Sequence, residues 1–306
     1  MIPHPPRRRI FPSAHEDARR AEKPTVPEHC RSASYRLAFQ DPEFLLRDEL
    51  RPVRLQLELL KPELILQEHH IESTVVVYGS ARIPDPDTAR AELEAARARA
   101  SAAPGEAAAR SAVQTAERRL AQSRYYEEAR RLGRLIGEHA DNRRCVVTTG
   151  GGPGIMEAAN RGASEAGAFT IGLNIVLPHE QLPNPYITPS LNFQFHYFAI
   201  RKMHLLMRAR TLVAFPGGFG TLDELFETLT LIQTGKVRRI PVLLFGREFW
   251  ERVIDFQVLV DEGTIAPQDL DLFRYVDTAE EAWAVIAQAD EEDRRNGNSR
   301  ERPGAA

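Results

Sequence analysis

Two short strand-like runs in this sequence each pass through a glycine-rich turn into a helical pattern. The run Cys145–Thr149 ends in Gly150-Gly-Gly-Pro-Gly154, and the run Thr211–Phe215 ends in Pro216-Gly-Gly-Phe-Gly220. Behind each turn, apolar residues recur at helical spacing. A buried strand, a tight turn and a helix in that order are typical of a parallel sheet that is covered by helices. The two junctions therefore predict an α/β fold.

Further apolar runs extend this pattern over most of the chain. Strands are predicted at 74–79, 145–149, 169–176, 191–195, 212–215 and 240–245. Helices are predicted at 125–139, 154–166, 197–209, 221–234, 247–262 and 278–289. The alternation predicts a doubly wound, Rossmann-like parallel sheet over residues 73–290. Ligands of such sheets bind beyond the carboxyl ends of the strands.

The residues outside the sheet pattern fall into four segments. Residues 1–40 and 291–306 lack apolar periodicity and are predicted to be disordered tails. Residues 41–72 have helical apolar spacing and are predicted to form an N-terminal helical extension. Residues 87–123 consist largely of Ala, Arg and Glu, which predicts a solvent-facing helical hairpin inserted after the first strand.

The composition narrows the classes of function. The 306 residues carry a formal net charge of −3, which argues against a nucleic-acid partner. No apolar run approaches the roughly 20 residues of a membrane span, and no apolar stretch of a secretory signal follows the basic start. We therefore expect no membrane partner and a cytoplasmic location. The two cysteines, Cys30 and Cys145, give no metal-ligand spacing, so no metal is predicted.

The second glycine-rich turn predicts an anion site. A helix that begins at such a turn points its first N–H groups outward, and the positive end of its dipole favours phosphate. Gly217, Gly218 and Gly220 supply the backbone of this site, and Thr221, at the predicted N-cap, adds a hydroxyl. Glu224 follows one turn into the helix. Because like charges repel, we expect its carboxylate to bind sugar hydroxyls or to do acid–base chemistry.

The first glycine-rich turn, with Gly151 and Gly152, is predicted to contact the same ligand. Neither turn is a P-loop, because no Gly-Lys-Ser/Thr sequence follows. A simple strand–helix connection would explain either turn alone. Two such turns in one α/β pattern favour nucleotide binding.

Residues near the turns are further candidates for ligand contacts. Ser80 and Arg82, in the turn after the first strand, belong to the same predicted rim, although a surface turn is an alternative. Met156 is a candidate for contact with base or ribose, although helix packing explains it equally well. Arg201 and Lys202 precede the strand that leads into the second turn. They are candidates for binding a phosphate or a carboxylate partner there, and an exposed basic patch is the alternative.

Together these motifs resemble those of the LOG (Lonely Guy) family, formerly described as lysine decarboxylases. The segment Gly150-Gly-Gly-Pro-Gly-Ile-Met-Glu-Ala-Ala-Asn160 and the pair Arg201-Lys202 are similar to that family. The segment Pro216-Gly-Gly-Phe-Gly-Thr-Leu-Asp-Glu224 matches every fixed position of the family pattern PGGxGTxxE. The resemblance runs from about Thr74 to Gln288 and is interrupted by the segment 87–123.

The resemblance implies a phosphoribohydrolase that needs neither metal nor cofactor. It would cleave the N-glycosidic bond of a nucleoside 5′-monophosphate, AMP or a cytokinin riboside monophosphate, to free base and ribose 5-phosphate. It further implies that Arg201 and Glu224 are the catalytic pair, that the Pro-Gly-Gly loop grips the 5′-phosphate, and that the chain forms a homodimer or a larger homo-oligomer. Relatives of this fold also resemble carriers of molybdenum cofactor, so a non-catalytic nucleotide or cofactor carrier is the alternative.

Overall fold

A computed structural model describes residues 11–22, 27–103, 105–139, 144–178 and 182–297. The helices are α1 (Ala14–Ala21), α2 (Pro42–Leu45), α3 (Arg51–Glu68), α4 (Pro86–Ala102), α5 (Ala107–Gln122), α6 (Arg124–His139), α7 (Ile155–Glu165), α8 (Phe198–Met207), α9 (Phe219–Gln233), α10 (Arg247–Val253), α11 (Phe256–Asp261) and α12 (Ala279–Gly297). The strands are β1 (Thr74–Tyr78), β2 (Val146–Thr149), β3 (Thr170–Ile175), β4 (Asn192–Phe195), β5 (Ala209–Ala214), β6 (Val242–Phe245) and β7 (Phe273–Val276).

The strands form one parallel sheet in the order β4-β3-β2-β1-β5-β6-β7. The chain builds outward from β1 through β2 and β3 to β4, and then returns to the other edge of β1 with β5. The strand order therefore reverses between β1 and β5. Open α/β sheets bind ligands at the carboxyl ends of the strands at such a point. The predicted doubly wound α/β fold is confirmed.

Helices cover both faces of the sheet, and β1 shows why. Val75 and Val77 pack into the cluster that includes residues of α6, α7 and α12. Val76 and Tyr78 pack into the opposite cluster, with residues of α8, α9 and α10 such as Leu205. Successive strand residues point to opposite faces. A strand that is buried on both faces therefore has the continuous apolar sequence from which β1 was predicted.

The structure differs from the predicted elements inside the sheet domain. Strand β7 was not predicted, because the exposed Arg274 interrupts its apolar residues and only Val276 is fully buried. The helix predicted at 247–262 is two helices, α10 and α11. The second begins where the side chain of Asp255 accepts a hydrogen bond from the N–H of Gln257.

The two predicted tails also contain helix. Helix α1 lies within residues 1–40, where a capping box between Ser13 and Glu16 starts it. Helix α12 continues to residue 297, past its predicted end at 289. Ion pairs of Arg210 with Asp290, at 2.9 Å, and with Asp293, at 3.3 Å, hold this continuation. Residues 27–40 contain three short 3-10 helices, and the parts of the two tail predictions at 1–10, 23–26 and 298–306 lie outside the described residues.

The described residues form two compact units that divide between Glu58 and Leu59, inside α3. The first unit contains α1 and α2, and the second contains the sheet. In the second unit α4 and α5, which fall in the segment 87–123, pack as a hairpin around Leu93, Ala96 and Ala116. Among the described residues, no helix is both long and apolar enough to cross a bilayer.

Candidate active site

A cleft of about 580 Å³ lies at the carboxyl ends of β1 and β5, where the strand order reverses. Three segments form its rim: the turn after β1, the turn after β2 and the turn after β5. The lining residues are Tyr78, Gly79, Ser80, Ala81, Arg82, Gly150, Met156, Arg201, Leu205, Gly218, Phe219, Gly220, Thr221, Leu222 and Glu224.

The opening of α9 gives the cleft its anion-binding character. Gly218 is the N-cap of α9, and the N–H of Leu222 donates to the carbonyl of Gly218 at 3.0 Å. The N–H groups of Phe219, Gly220 and Thr221 precede that first helical bond and have no intrahelical acceptor. A Cβ added at Gly218 or Gly220 would meet no atom within 4 Å, so the backbone faces open space. Unpaired N–H groups at the positive end of a helix dipole favour phosphate.

Thr221 is not the N-cap that the sequence predicted. Helix α9 begins at Phe219, because glycine at the cap allows the helix to start directly after the turn. Thr221 is therefore the third helical residue, and it is buried. A Cβ on Gly217 would lie 2.1 Å from Thr221 Oγ1, so only glycine leaves room for this hydroxyl.

The opening of α7 differs, because its first donor is already used. The N–H of Ile155 donates to the carbonyl of Ser80 at 3.2 Å. A Cβ on Gly154 would lie 2.4 Å from the same oxygen, and one on Gly79 would lie 2.5 Å from the Ile155 side chain. The two turns are pressed together. The β2 turn is therefore a packing junction that supports the rim.

A buried amide and hydroxyl network fixes the β2 turn from behind. The Thr149 hydroxyl donates to Asn160 Oδ1 at 2.7 Å and accepts from the N–H of Gly151 at 3.0 Å. Asn184 Nδ2 donates to the carbonyl oxygens of Gly151, at 3.2 Å, and Gly152, at 3.1 Å. Buried polar groups that are fully paired hold a loop in one conformation. This network places both glycines behind the cleft.

Arg201 of α8 and Glu224 of α9 meet across the cleft. Arg201 Nη2 donates to Glu224 Oε1 at 3.2 Å, and the exposed fractions of the two side chains are 15% and 5%. Burial raises the pKa of Glu224 from 4.5 to about 7, while the positive charges of Arg201 and Lys202 act in the opposite direction. A buried carboxyl whose pKa lies near neutrality can hold or release a proton at physiological pH.

Lys202 lies outside the cleft. Its ammonium pairs with Asp223 Oδ2 at 2.8 Å and with Glu227 Oε2 at 3.1 Å. Both partners lie on α9, so Lys202 joins α8 to α9 from the side. This contact holds in register the two helices that carry Arg201 and Glu224.

The structure brings together most of the residues predicted from the sequence. Those that line the cleft are Ser80, Met156, Arg201, Gly218, Gly220, Thr221 and Glu224. Those that it places beside or behind the cleft are Gly151, Gly152, Lys202 and Gly217. Arg82 also lines the cleft. Tyr78 was missed, since it was taken as a strand residue; a lone hydroxyl after three valines was the available signal.

The geometry combines two chemical capacities in one cleft. The N-terminus of α9 presents unpaired N–H groups, which suit a phosphate. About one turn further along α9 lies a buried carboxyl with a pKa of about 7, held by a guanidinium. A phosphorylated ligand bound at the helix N-terminus would therefore lie close to this carboxyl.

The sequence of this chain is similar to those of several known proteins. Residues 156–286 match a family profile described as "Possible lysine decarboxylase". The cytokinin riboside 5′-monophosphate phosphoribohydrolase LOG7 of Arabidopsis thaliana is 29% identical over 174 residues, which are 55% of this chain and 74% of that protein. The phosphoribohydrolase LOG of Oryza sativa subsp. japonica is 28% identical over 171 residues, 55% of this chain and 66% of that protein. The predicted resemblance to the LOG family is confirmed.

Solved structures give a more distant likeness. The molybdenum cofactor carrier protein of Chlamydomonas reinhardtii has 22% identity and a TM-score of 0.42, covering 72% of this chain and 99% of that chain. The molybdenum cofactor binding protein of Rippkaea orientalis has 22% identity and a TM-score of 0.39, covering 54% of this chain and 86% of that chain.

Proposed function

We propose that this chain, which shares the sequence pattern of the LOG family, is a cytoplasmic nucleoside 5′-monophosphate phosphoribohydrolase. It hydrolyses the N-glycosidic bond of AMP or a cytokinin riboside monophosphate and releases the free base and ribose 5-phosphate. The observation that carries the proposal is the buried Arg201–Glu224 pair beside the open N-terminus of α9.

The opening of α9 binds the 5′-phosphate in this proposal. The N–H groups of Phe219, Gly220 and Thr221 donate to phosphate oxygens, and the Thr221 hydroxyl adds a donor. Arg82, which lines the same cleft, contributes positive charge. A fixed phosphate holds the glycosidic bond at a set place in the cleft, and such orientation supplies a large part of the rate.

Glu224 acts on the sugar. As the base departs, positive charge develops on the ribose, and an ionised carboxylate stabilises that charge or takes a proton from the attacking water. In the second case the hydroxyl of the water joins the ribose and its proton passes through Glu224 to the departing base, so the carboxylate is ionised again for the next turnover. Arg201 holds the carboxylate in position through its 3.2 Å contact and favours the ionised form. No covalent intermediate is required, because water attacks the sugar directly.

The active form in this proposal is a homo-oligomer. Large apolar side chains are exposed on α8 and at the start of α9, the two helices that supply Arg201 and Glu224: Phe219 is 92% exposed, Phe198 51% and Met203 48%. Large exposed apolar side chains near a site favour a protein interface. A second copy of the chain that covers these side chains would also shield the cleft from water.

Decarboxylation of lysine, the reaction in the family description, does not suit this cleft. Pyridoxal phosphate chemistry needs a lysine that forms a Schiff base with the cofactor. Among the described residues that line the cleft there is no lysine. Lys202, the nearest in sequence to Arg201, is engaged by two carboxylates of α9.

Purified protein should be incubated with AMP, isopentenyl-AMP, GMP, CMP and adenosine, and free base measured by chromatography. We expect release from at least one monophosphate and none from adenosine, because adenosine lacks the phosphate anchor. Glu224→Gln should retain nucleotide binding and lose at least about 100-fold in turnover. The matched control is Asp223→Asn on the same helix. This half-exposed carboxylate lies outside the cleft, and Lys202 keeps its contact with Glu227, so turnover should change less than about threefold.

Two outcomes would contradict the proposal. Full turnover by Glu224→Gln would remove Glu224 from the chemistry. Binding of monophosphates without release of base from any of them would favour the non-catalytic carrier.

A further inference from the structure

Tyr78 lines the same cleft as Arg201 and Glu224. It is the last residue of β1 and pairs in register with Ala214, two residues before the Pro-Gly-Gly turn. Its ring packs in the cluster that contains Leu205 of α8 and Leu225 of α9. These are the two helices that carry Arg201 and Glu224. The Tyr78 side chain therefore points to the face of the sheet on which the ion pair lies.

The Tyr78 hydroxyl is buried without a hydrogen-bond partner among the described residues. The residue as a whole is 5% exposed. A buried hydroxyl that makes no hydrogen bond destabilises a fold. Phenylalanine would fill the same space without that penalty. Unpaired buried groups are rare, and one that also lines a cleft points to a role in binding or chemistry.

Charged groups surround this hydroxyl and the Glu224 carboxyl. Those on the packed elements are Arg201 and Lys202 of α8, Asp223 and Glu227 of α9, and Arg82 of the turn after β1. Burial, and then the negative charge of Glu224, raise the pKa of Tyr78 well above its usual value. The hydroxyl therefore keeps its proton at any working pH, and it is available as a donor.

Glu224 has room for such a donor. Among the described side chains, Arg201 is the one that hydrogen-bonds its carboxyl. A protonated carboxyl needs few donors, whereas an ionised one in a buried site is stabilised by several. When Glu224 loses its proton, the Tyr78 hydroxyl is an unpaired neutral donor in the same cleft, and the charge of Glu224 acts on it.

We propose that Tyr78 is a positioning residue whose hydroxyl donates a hydrogen bond to Glu224 when that carboxyl ionises. The effect of this hydrogen bond on turnover rests on the proposed hydrolase function, whereas the hydrogen bond itself does not. It holds the ionised carboxylate against the sugar and makes the ionised form accessible at lower pH. Tyr78 does not touch the substrate.

The test is Tyr78→Phe, with Thr211→Val as the matched control. Thr211, on β5 of the same sheet, also has a buried hydroxyl without a partner among the described residues, and it does not line the cleft. Both substitutions remove an orphan hydroxyl and keep the shape. Both variants should unfold at the same temperature as the parent or higher. If Tyr78 had a purely structural role, this change in unfolding temperature would be the only effect of the substitution.

Loss of the donor should raise the pKa of Glu224. In a plot of kcat against pH, we expect the rising limb to move to higher pH by about one unit in Tyr78→Phe. The value of kcat at pH 6 should therefore fall about tenfold. The KM should change less than about twofold, because the substrate loses no contact. Thr211→Val should leave both the limb and the KM unchanged. An unmoved limb in Tyr78→Phe would overturn the proposal.

A second readout separates this proposal from the proposed function. The protein can be labelled with 13C at its glutamate carboxyls, and the Glu224 signal assigned by its loss in Glu224→Gln. A higher pKa of that signal in Tyr78→Phe supports the hydrogen bond even if the parent releases no base. An unchanged pKa refutes it even if the parent is an active hydrolase.

Discussion

Replacing Glu224 by glutamine should change how stability depends on pH. The pKa of Glu224 is about 7 in the folded protein and 4.5 in its ordinary state. The folded chain therefore binds more protons than the unfolded chain between these values, so the free energy of unfolding falls as pH rises through that window. The stability that Glu224 contributes is fully present below about pH 4.5 and is lost as pH rises through 7. Glutamine has the same shape and does not titrate.

The magnitude follows from the two pKa values. With about 7 for the folded state and 4.5 for the unfolded state, the carboxyl lowers the free energy of unfolding by about 1 kcal/mol at pH 5 and about 3 kcal/mol at pH 8. The difference between Glu224→Gln and the parent should therefore move in favour of the variant by about 2 kcal/mol over this range. Because the Glu224 side chain is only 5% exposed, solvent screens little of this effect.

Urea unfolding of both proteins at pH 5, 6, 7 and 8 measures this difference. Titration of other groups cancels, because both proteins share them. A difference that stays constant within about 0.5 kcal/mol from pH 5 to 8 would show that the folded carboxyl titrates at its ordinary pKa. Arg201 would then outweigh burial, and Glu224 would be ionised throughout the neutral range. The argument for a proton-exchanging group in the cleft would fail.

Two further substitutions test other parts of the cleft. Arg201→Met removes the guanidinium that favours the ionised Glu224. In a plot of kcat against pH, the rising limb should therefore move to higher pH by at least about one unit, and kcat/KM at pH 7 should fall at least about 100-fold. Steady-state kinetics across pH measure both, and an unchanged limb would refute the argument. Gly217→Ala places a Cβ 2.1 Å from Thr221 Oγ1 and should displace that hydroxyl. Calorimetry should then show AMP binding about tenfold more weakly, while the affinity for adenosine stays the same. An equal loss of affinity for both ligands would indicate general damage to the cleft.

The sheet and the location of the cleft were predictable from sequence, because both depend on local patterns. Strands that are buried on both faces show continuous apolar runs, and β1 is the clearest case. The Pro-Gly-Gly turn could be identified because a glycine-rich turn directly before a helix is typical of an anion site. Arg201 and Glu224, 23 positions apart, were paired through resemblance to a family rather than through spacing.

What the sequence did not reveal depends on contacts between distant segments. Lys202 follows Arg201 directly, yet α8 turns it toward α9 and away from the cleft. Gly151 and Gly152 belong to a glycine-rich turn like that of α9, but Asn184, more than 30 positions later, binds their carbonyl oxygens. The importance of Tyr78 became visible only from the burial of its hydroxyl beneath two helices.

Ser80 connects the three turns that form the rim of the cleft. Its N–H donates to the carbonyl of Pro216 at 3.0 Å, and its carbonyl accepts from the N–H of Ile155 at 3.2 Å. One peptide segment after β1 is thus tied to the turns after both β5 and β2. The conformational entropy of ordering these three turns is lost when the chain folds, before any nucleotide arrives. Binding then carries no penalty for loop ordering, so the affinity for a small phosphate ester can come almost entirely from the contacts that it makes.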